Sequence, residues 1–204
     1  MFIRGLLMGI MSQKSDSDIK EKIVGAALAL AAEKGWPETS LADIAKGAGL
    51  SMAVMRVHCE DKADILAALG RMIDRRVLEN LAEPDPGIPW KERVFDVLME
   101  RYDILNEYRA GLVPILESFK TEPKHLVISL PHLCRSMNWM LEGAGVDTGG
   151  LRGAARLTGV TLIYVKALRA WKDDTSEDLA ATMAALDQGL GWVERVANAL
   201  GLDI

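Results

Sequence analysis

Residues 40–59 read SLADIAKGAGLSMAVMRVHC, and the order of small, apolar and capping residues in this stretch decides the fold. Ser40 stands where a side-chain oxygen can cap a short helix starting at Leu41, and Asp43 falls in its first turn, where a carboxylate meets the positive end of the helix dipole. Gly47 and Gly49 end that helix after two turns. Gly49 sits at the turn itself, where a residue without a Cβ takes positive φ at little steric cost. Ser51 then caps a further short helix carrying Met52 to Val57. Ile44, Ala48, Leu50 and Met55 supply the small apolar core between the two helices, with Ala45 small at their crossing. This is the spacing of a helix-turn-helix, here assigned to residues 40–59.

Outward from it, apolar residues keep a helical period almost everywhere. Ile19, Ile23, Ala26, Ala27 and Leu30 recur at three- and four-residue steps, and Gly35 with Pro37 stops that helix, predicting a first helix over about 18 to 34. Asp61 opens a fourth helix running through Ile65, Leu69, Ile73 and Val77. AEPDPGIPW, residues 82–90, holds three prolines and a glycine and is the clearest break in the chain. Further helical patterns run through about 91–107, 109–121, 124–143, 148–172 and 175–200. No alternating pattern bounded by hairpin turns occurs, so the expected class is all-α. The expected divisions are a disordered tail over 1–14, a helix-turn-helix domain over 15–77 and a second helical domain over 78–204. The tail opens with MFIRGLLMGIM and lacks a small-residue cleavage pattern; it reads as sequence upstream of a start at Met8 or Met11, or as a weak interfacial anchor.

Composition narrows the function. The chain has 204 residues, half of them apolar and 26% charged, which excludes disordered, collagenous and disulfide-scaffold classes. Lys and Arg total 24 against 29 Asp and Glu, a net charge of −5, so any polyanion contact must come from a local patch. Two distant cysteines, Cys59 and Cys134, suggest neither a disulfide framework nor a thiolate metal site, and point to a reducing, cytoplasmic setting. No apolar run is long enough for stable membrane insertion. His125, His132 and Cys134 invite a metal reading, but His125 and His132 are two turns apart and no carboxylate stands at a chelating step, so no metal is expected. GAGVDTGG, residues 143–150, follows a helix and lacks a Gly-Lys-Ser/Thr ending, which makes it an interhelical turn instead of a phosphate loop. With no nucleophile elbow or zincin spacing either, the chain is not expected to be an enzyme or to hold a cofactor.

The stretch around the helix-turn-helix resembles the N-terminal domain of the TetR family of bacterial transcriptional regulators, through Ile23, Ala26, Ala27, Gly35, Thr39, Ser40, Ile44, Ala45, Ala48, Gly49, Ser51, His58 and Lys62. The resemblance implies that Thr39 and Ser40 offer hydroxyls to a DNA phosphate and that Ser51 to Val57 form a recognition helix in the major groove. Met52, Ala53 and Val54 would then face bases, while Lys62 and His58 would meet phosphates. Arg56 stands where the family usually has tyrosine, and Cys59 where it has phenylalanine. Arg56 can still reach a phosphate or a guanine edge, whereas Cys59 gives up packing that seats the recognition helix. From Ser15 to Val77 there are nine Lys or Arg against ten Asp or Glu, so non-specific DNA affinity should be low.

In the second half, YVKALRAWKDDTSEDLAATMAALDQGL, residues 164–190, resembles the C-terminal region of the TetR-fold lipid-binding accessory proteins of ubiquinone biosynthesis, which are not DNA readers. Trp171, Asp173, Asp174, Ser176, Asp178, Thr182, Leu186 and Asp187 carry that likeness. The helix over 148–172 is apolar nearly all round, either because it lines a ligand cavity and a subunit interface or because it is a central core helix. Met99, Phe119, Trp139, Met140, Tyr164 and Trp171 are the candidate lining of an apolar ligand site, each with plain core as its competing reading. Leu186, Leu190, Val193, Val196 and Leu200 form one stripe on the last helix, resembling the family's dimer interface; a membrane-contact helix would need more positive charge. The expectation is a homodimeric, ligand-responsive repressor on a palindromic double-stranded operator, released by a small apolar effector. The alternative is a lipid- or isoprenoid-binding accessory protein that does not read DNA.

Overall fold

The computed structural model describes the backbone of residues 2–120 and 123–199 and the side chains of 16–120 and 128–195. Among the described residues the regular structure is helical throughout: α1 (Phe2–Lys34), α2 (Leu41–Gly47), α3 (Met52–His58), α4 (Lys62–Asn80), α5 (Trp90–Glu107), α6 (Arg109–Ser118), α7 (Pro123–Gly143), α8 (Gly150–Asp173) and α9 (Ala180–Ala199). The fold is all-α. Two of these bounds depart furthest from the sequence reading. α1 begins at Phe2 instead of near 18, so most of the segment set aside as a tail is helical: Ser and Asp interrupt the apolar period over 12–18 without breaking the backbone. α9 begins at Ala180 instead of 175 because Asp174 to Leu179 form a tight corner.

The chain divides into two compact units. One takes in the chain up to Gly70 together with Tyr108–Ser129; the other comprises Arg71–Glu107 and the chain from Leu130 onward. The division therefore falls inside α4, upstream of the expected boundary at 77/78 and of the nonhelical segment 81–89, and α6 groups with the N-terminal helices.

The reason for α6's placement is a close approach. Within the first unit α1 packs on α6, α2 and α3. A Cβ built on Gly111 would lie 2.5 Å from the carbonyl oxygen of Leu28, so only glycine lets the two helix backbones come this near. Ile23, Val24, Ala27 and Ala31 of α1 are buried, as are Ile44 and Ala45 of α2 and Met55 of α3.

In the second unit α9 packs on α5 and α8. Its core buries Leu98 and Tyr102 of α5, Met137 and Met140 of α7, Tyr164 and Trp171 of α8, and Leu186 and Leu190 of α9. The rings of Tyr102 and Tyr164 stack with centroids 5.2 Å apart. Asp174 closes the α8–α9 corner. One carboxylate oxygen accepts from the backbone N–H and hydroxyl of Ser176, and the other from the N–H and hydroxyl of Thr182 at 2.8 and 2.9 Å. Leu179, at φ +53° and buried, completes the turn in the left-handed region, which a β-carbon-bearing residue rarely adopts.

Among the described residues no helix is long and apolar enough to cross a membrane.

Candidate nucleic-acid interface

The site is built on α2, α3 and the turn between them. Ser40 and Asp43 form a reciprocal cap: the Asp43 N–H donates to Ser40 Oγ at 3.1 Å, and the Ser40 N–H donates to Asp43 Oδ2 at 3.1 Å. Lys34, at the end of α1, donates to the same carboxylate at 2.7 Å and ties α1 to the start of α2. The Lys34 ammonium, followed by the Ser40 hydroxyl and amide, holds the Asp43 carboxyl well below the usual carboxylate range.

α2 ends on Gly49 at φ +68°. The Gly49 N–H donates to Lys46 O and the Leu50 N–H to Ala45 O, the pair of bonds that satisfies orphan carbonyls at a helix end. Ser51 Oγ accepts from the Val54 N–H at 3.3 Å and caps α3. One face of α3 is turned inward, with Met55 1% exposed and His58 half-buried three residues on. His58 Nδ1 lies 2.8 Å from Asp16 of α1, which anchors the end of α3. Cys59, just past that end, is buried and donates its S–H to Asp61 O at 2.8 Å. Burial, reinforced by the Asp64 and Asp61 carboxylates, pushes its thiol up to about 11.

The outward face of α3 carries Met52 at 51%, Val54 at 37% and Val57 at 79% exposure, with Ala53 and Arg56 exposed between them. Arg56 reaches Glu60, one turn on, at 3.3 Å. Such a helix presents an apolar surface to its surroundings with one cation, Arg56, upon it.

The residues singled out from sequence thus separate. Ser51, Met52, Ala53, Val54 and Arg56 come together on the exposed side of α3 and its cap. Ser40 is exposed, but its hydroxyl also donates to Asp43. Thr39 is 1% exposed and donates to Gly35 O at 2.8 Å, so its hydroxyl closes the end of α1 and does not face outward. The Lys62 ammonium donates to Trp36 O and lies 4.3 Å from the centroid of the buried Trp36 ring, a cation–π contact that binds the start of α4 to the turn after α1. Sequence reasoning placed Val57 on the recognition helix without assigning it to the base-facing side, and passed over Trp36. Val57 lies one turn beyond Ala53, a spacing that already assigns it to the same face.

The candidate ligand residues are also dispersed. Phe119 belongs to the first unit and the other five to the second. There Met140, Tyr164 and Trp171 are buried, Met99 is half-buried, and Trp139 is 56% exposed. A cleft of about 330 Å³ in this unit is lined by Lys91, Glu92, Phe95, Asp96 and Asp187, none of them among the six. Of the α9 stripe, Leu186 and Leu190 are 0% exposed within a single chain and have no surface to give to a second; Val193 is half-buried, and the side chains of Val196 and Leu200 lie outside the described residues. Trp171, Asp174, Thr182 and Leu186, which carry the second sequence resemblance, are all buried at the α8–α9 corner or in the core beside it.

In class, this is an all-α protein with an N-terminal helix-turn-helix whose second helix is held from behind and bare in front. Residues 23–69 match the family model for bacterial regulatory proteins of the tetR family, so the helix-turn-helix lies in a TetR-type N-terminal domain. The TetR transcriptional regulator from Nitrosomonas europaea ATCC 19718 is similar in structure, with a TM-score of 0.65 and 23% identity over 85% of this chain and 96% of that one. A TetR transcriptional regulator from Rhodococcus sp. RHA1 gives 0.61 at 16% identity, covering 86% and 94%. A tetR-family regulator from Streptomyces coelicolor gives 0.53 at 16%, covering 86% and 83%. These likenesses extend the TetR fold over most of the chain. No curated protein matches it.

Proposed function

We propose that the protein is a cytoplasmic, homodimeric transcriptional repressor that binds a palindromic DNA operator through α3 of each copy and lets go when a small apolar ligand enters the second unit. The observation that carries this reading is the exposed face of α3, from Met52 to Val57, on a helix fixed by Ser51 at one end and His58–Asp16 at the other. A helix of this kind has the width of the major groove, and a two-helix motif presents it there. Pairing of two copies falls to outward faces of α8 and α9, where Leu162 is 66% and Trp192 60% exposed, and not to the buried Leu186 and Leu190. A hydrophobic guest would have to part the buried apolar and aromatic side chains of the second unit, Met140, Tyr164 and Trp171 among them.

The test is selection of bound sequences from a random duplex pool at low and moderate salt. A reproducible palindrome, preferred over random DNA by roughly a thousandfold, supports the reading. Arg56→Ala should weaken binding to it while leaving the thermal midpoint unchanged, since Arg56 pairs with Glu60 at an exposed surface. No enrichment at either salt, together with an isoprenoid lipid co-purifying with the chain, would replace it with the lipid-binding alternative.

A further inference from the structure

We propose that α3 recognises its operator chiefly through the C5-methyl groups of thymines, so that the positions it reads are A·T pairs fixed by apolar contact and not by hydrogen bonds. This deepens the operator-binding reading and rests on it.

Base edges in the major groove are distinguished in two ways: by hydrogen bonds from Arg, Lys, Asn, Gln, Asp, Glu, Ser or Thr, and by apolar contact with the thymine methyl. Helix α3 is poorly equipped for the first. Of its five outward residues, Ala53, Val54 and Val57 have no side-chain donor or acceptor for a base, and Met52 offers only a weakly accepting thioether sulfur. Arg56 is the exception, and its Nη1 is held 3.3 Å from Glu60. That pair is exposed and weak, so Arg56 can leave it for a phosphate, and a phosphate contact positions the helix without reading a base.

The helix is well equipped for the second way. Met52 and Arg56, and likewise Ala53 and Val57, stand one turn apart on the outward surface, while Met55 occupies the inward side. Val57 is 79% exposed, a position where a β-branched apolar side chain gains nothing in the isolated chain and gains directly once water is displaced by a methyl group. Charge points the same way: with nine basic and ten acidic residues from Ser15 to Val77, phosphate attraction supplies little affinity, and discrimination has to come from contact with the bases.

The experiment uses the full chain and the best duplex selected from the random pool, remade with deoxyuridine at single thymine positions of a half-site. The replacement deletes only the C5-methyl and leaves every hydrogen-bonding group of the base in place. The expected result is a loss of about fourfold per critical methyl, with the Val57→Ala variant insensitive at one of those positions. Affinity unchanged by deoxyuridine at every thymine of both half-sites would overturn this inference and leave operator binding intact. Failure to enrich any duplex would overturn the operator reading and this inference with it. Self-association abolished by Val57→Asp, with no duplex bound, would assign the face to a second copy of the chain and overturn the proposal as well.

Discussion

The guanidinium of Arg101 on α5 and the carboxylate of Asp74 on α4 form an ion pair inside the second unit, with Arg101 4% and Asp74 8% exposed. Each has a further partner. Ser136 of α7 donates to the Asp74 carboxylate at 2.6 Å, and Arg101 Nε donates to the Tyr164 hydroxyl on α8 at 3.1 Å. Four helices thus meet on one charged pair in a largely apolar interior. Removing water from two ions is costly, and such a pair holds only while both ions and their hydrogen-bonding neighbours are present.

Asp74→Asn or Arg101→Met should therefore each cost about 3–5 kcal/mol, because each leaves the opposite charge buried without its counter-ion. The double variant, with both charges gone, should be more stable than the sum of the two losses implies. Urea unfolding of all four proteins measures this. Additive losses would show that the pair is not coupled.

A second expectation separates two glycines by mechanism. At Gly49 an added Cβ meets nothing within 4 Å, so Gly49→Ala should cost only the left-handed backbone penalty, roughly 1 kcal/mol. At Gly111 the added carbon meets the backbone of Leu28, which cannot rotate away, so Gly111→Ala must push α6 off α1 and should cost several times as much. Thermal melts of the two variants give the order; a Gly111→Ala midpoint at or above that of Gly49→Ala would reject the close-packing account.

Features set by neighbours in sequence are legible in the residue types themselves. Ser40 with Asp43, Gly49 and Ser51 act within one turn of chain, and the helix-turn-helix they build falls where the residue types put it. Legibility ends where a side chain's role depends on a distant partner. Periodicity places Leu186 and Leu190 on one face of α9 but cannot tell a core from a subunit interface, since both are apolar stripes. Lys62 is a cation just past the helix-turn-helix, yet nothing local reveals that the Trp36 ring lies beneath it. Asp174 and Thr182 are eight residues apart, further than any cap reaches, so the segment read as the start of the last helix is a corner.

That corner should respond to acid. Burial acts to raise the Asp174 carboxyl, but the hydrogen bonds from Ser176 and Thr182 outweigh it and hold the group well below the usual carboxylate range. A lowered folded-state value means the stabilisation is fully present above about pH 4 and is lost as pH falls from there toward the lowered value. Asp174→Asn sets an amide N–H₂ against donors and should cost about 2–3 kcal/mol at neutral pH. The gap between wild type and variant should narrow below about pH 4; a gap constant down to about pH 2 would count against this role for the carboxylate.

The Cys59 thiol should be inert in the native protein. It is 5% exposed, and burial together with the Asp64 and Asp61 carboxylates pushes it up to about 11. Only the thiolate attacks an alkylating reagent, so at about pH 8 roughly one molecule in a thousand is competent, against about a quarter for an ordinary thiol. Native protein treated with iodoacetamide at that pH should retain Cys59 unmodified, as read by peptide mass mapping, and should modify it promptly once unfolded in urea. Alkylation in the native state should rise about tenfold per pH unit between about 8 and 10, provided the fold persists over that range. Labelling of Cys59 at the rate of an unfolded thiol would mean that the turn after α3 opens readily, and that α3 is not rigidly seated with cysteine where the resemblance calls for an aromatic ring.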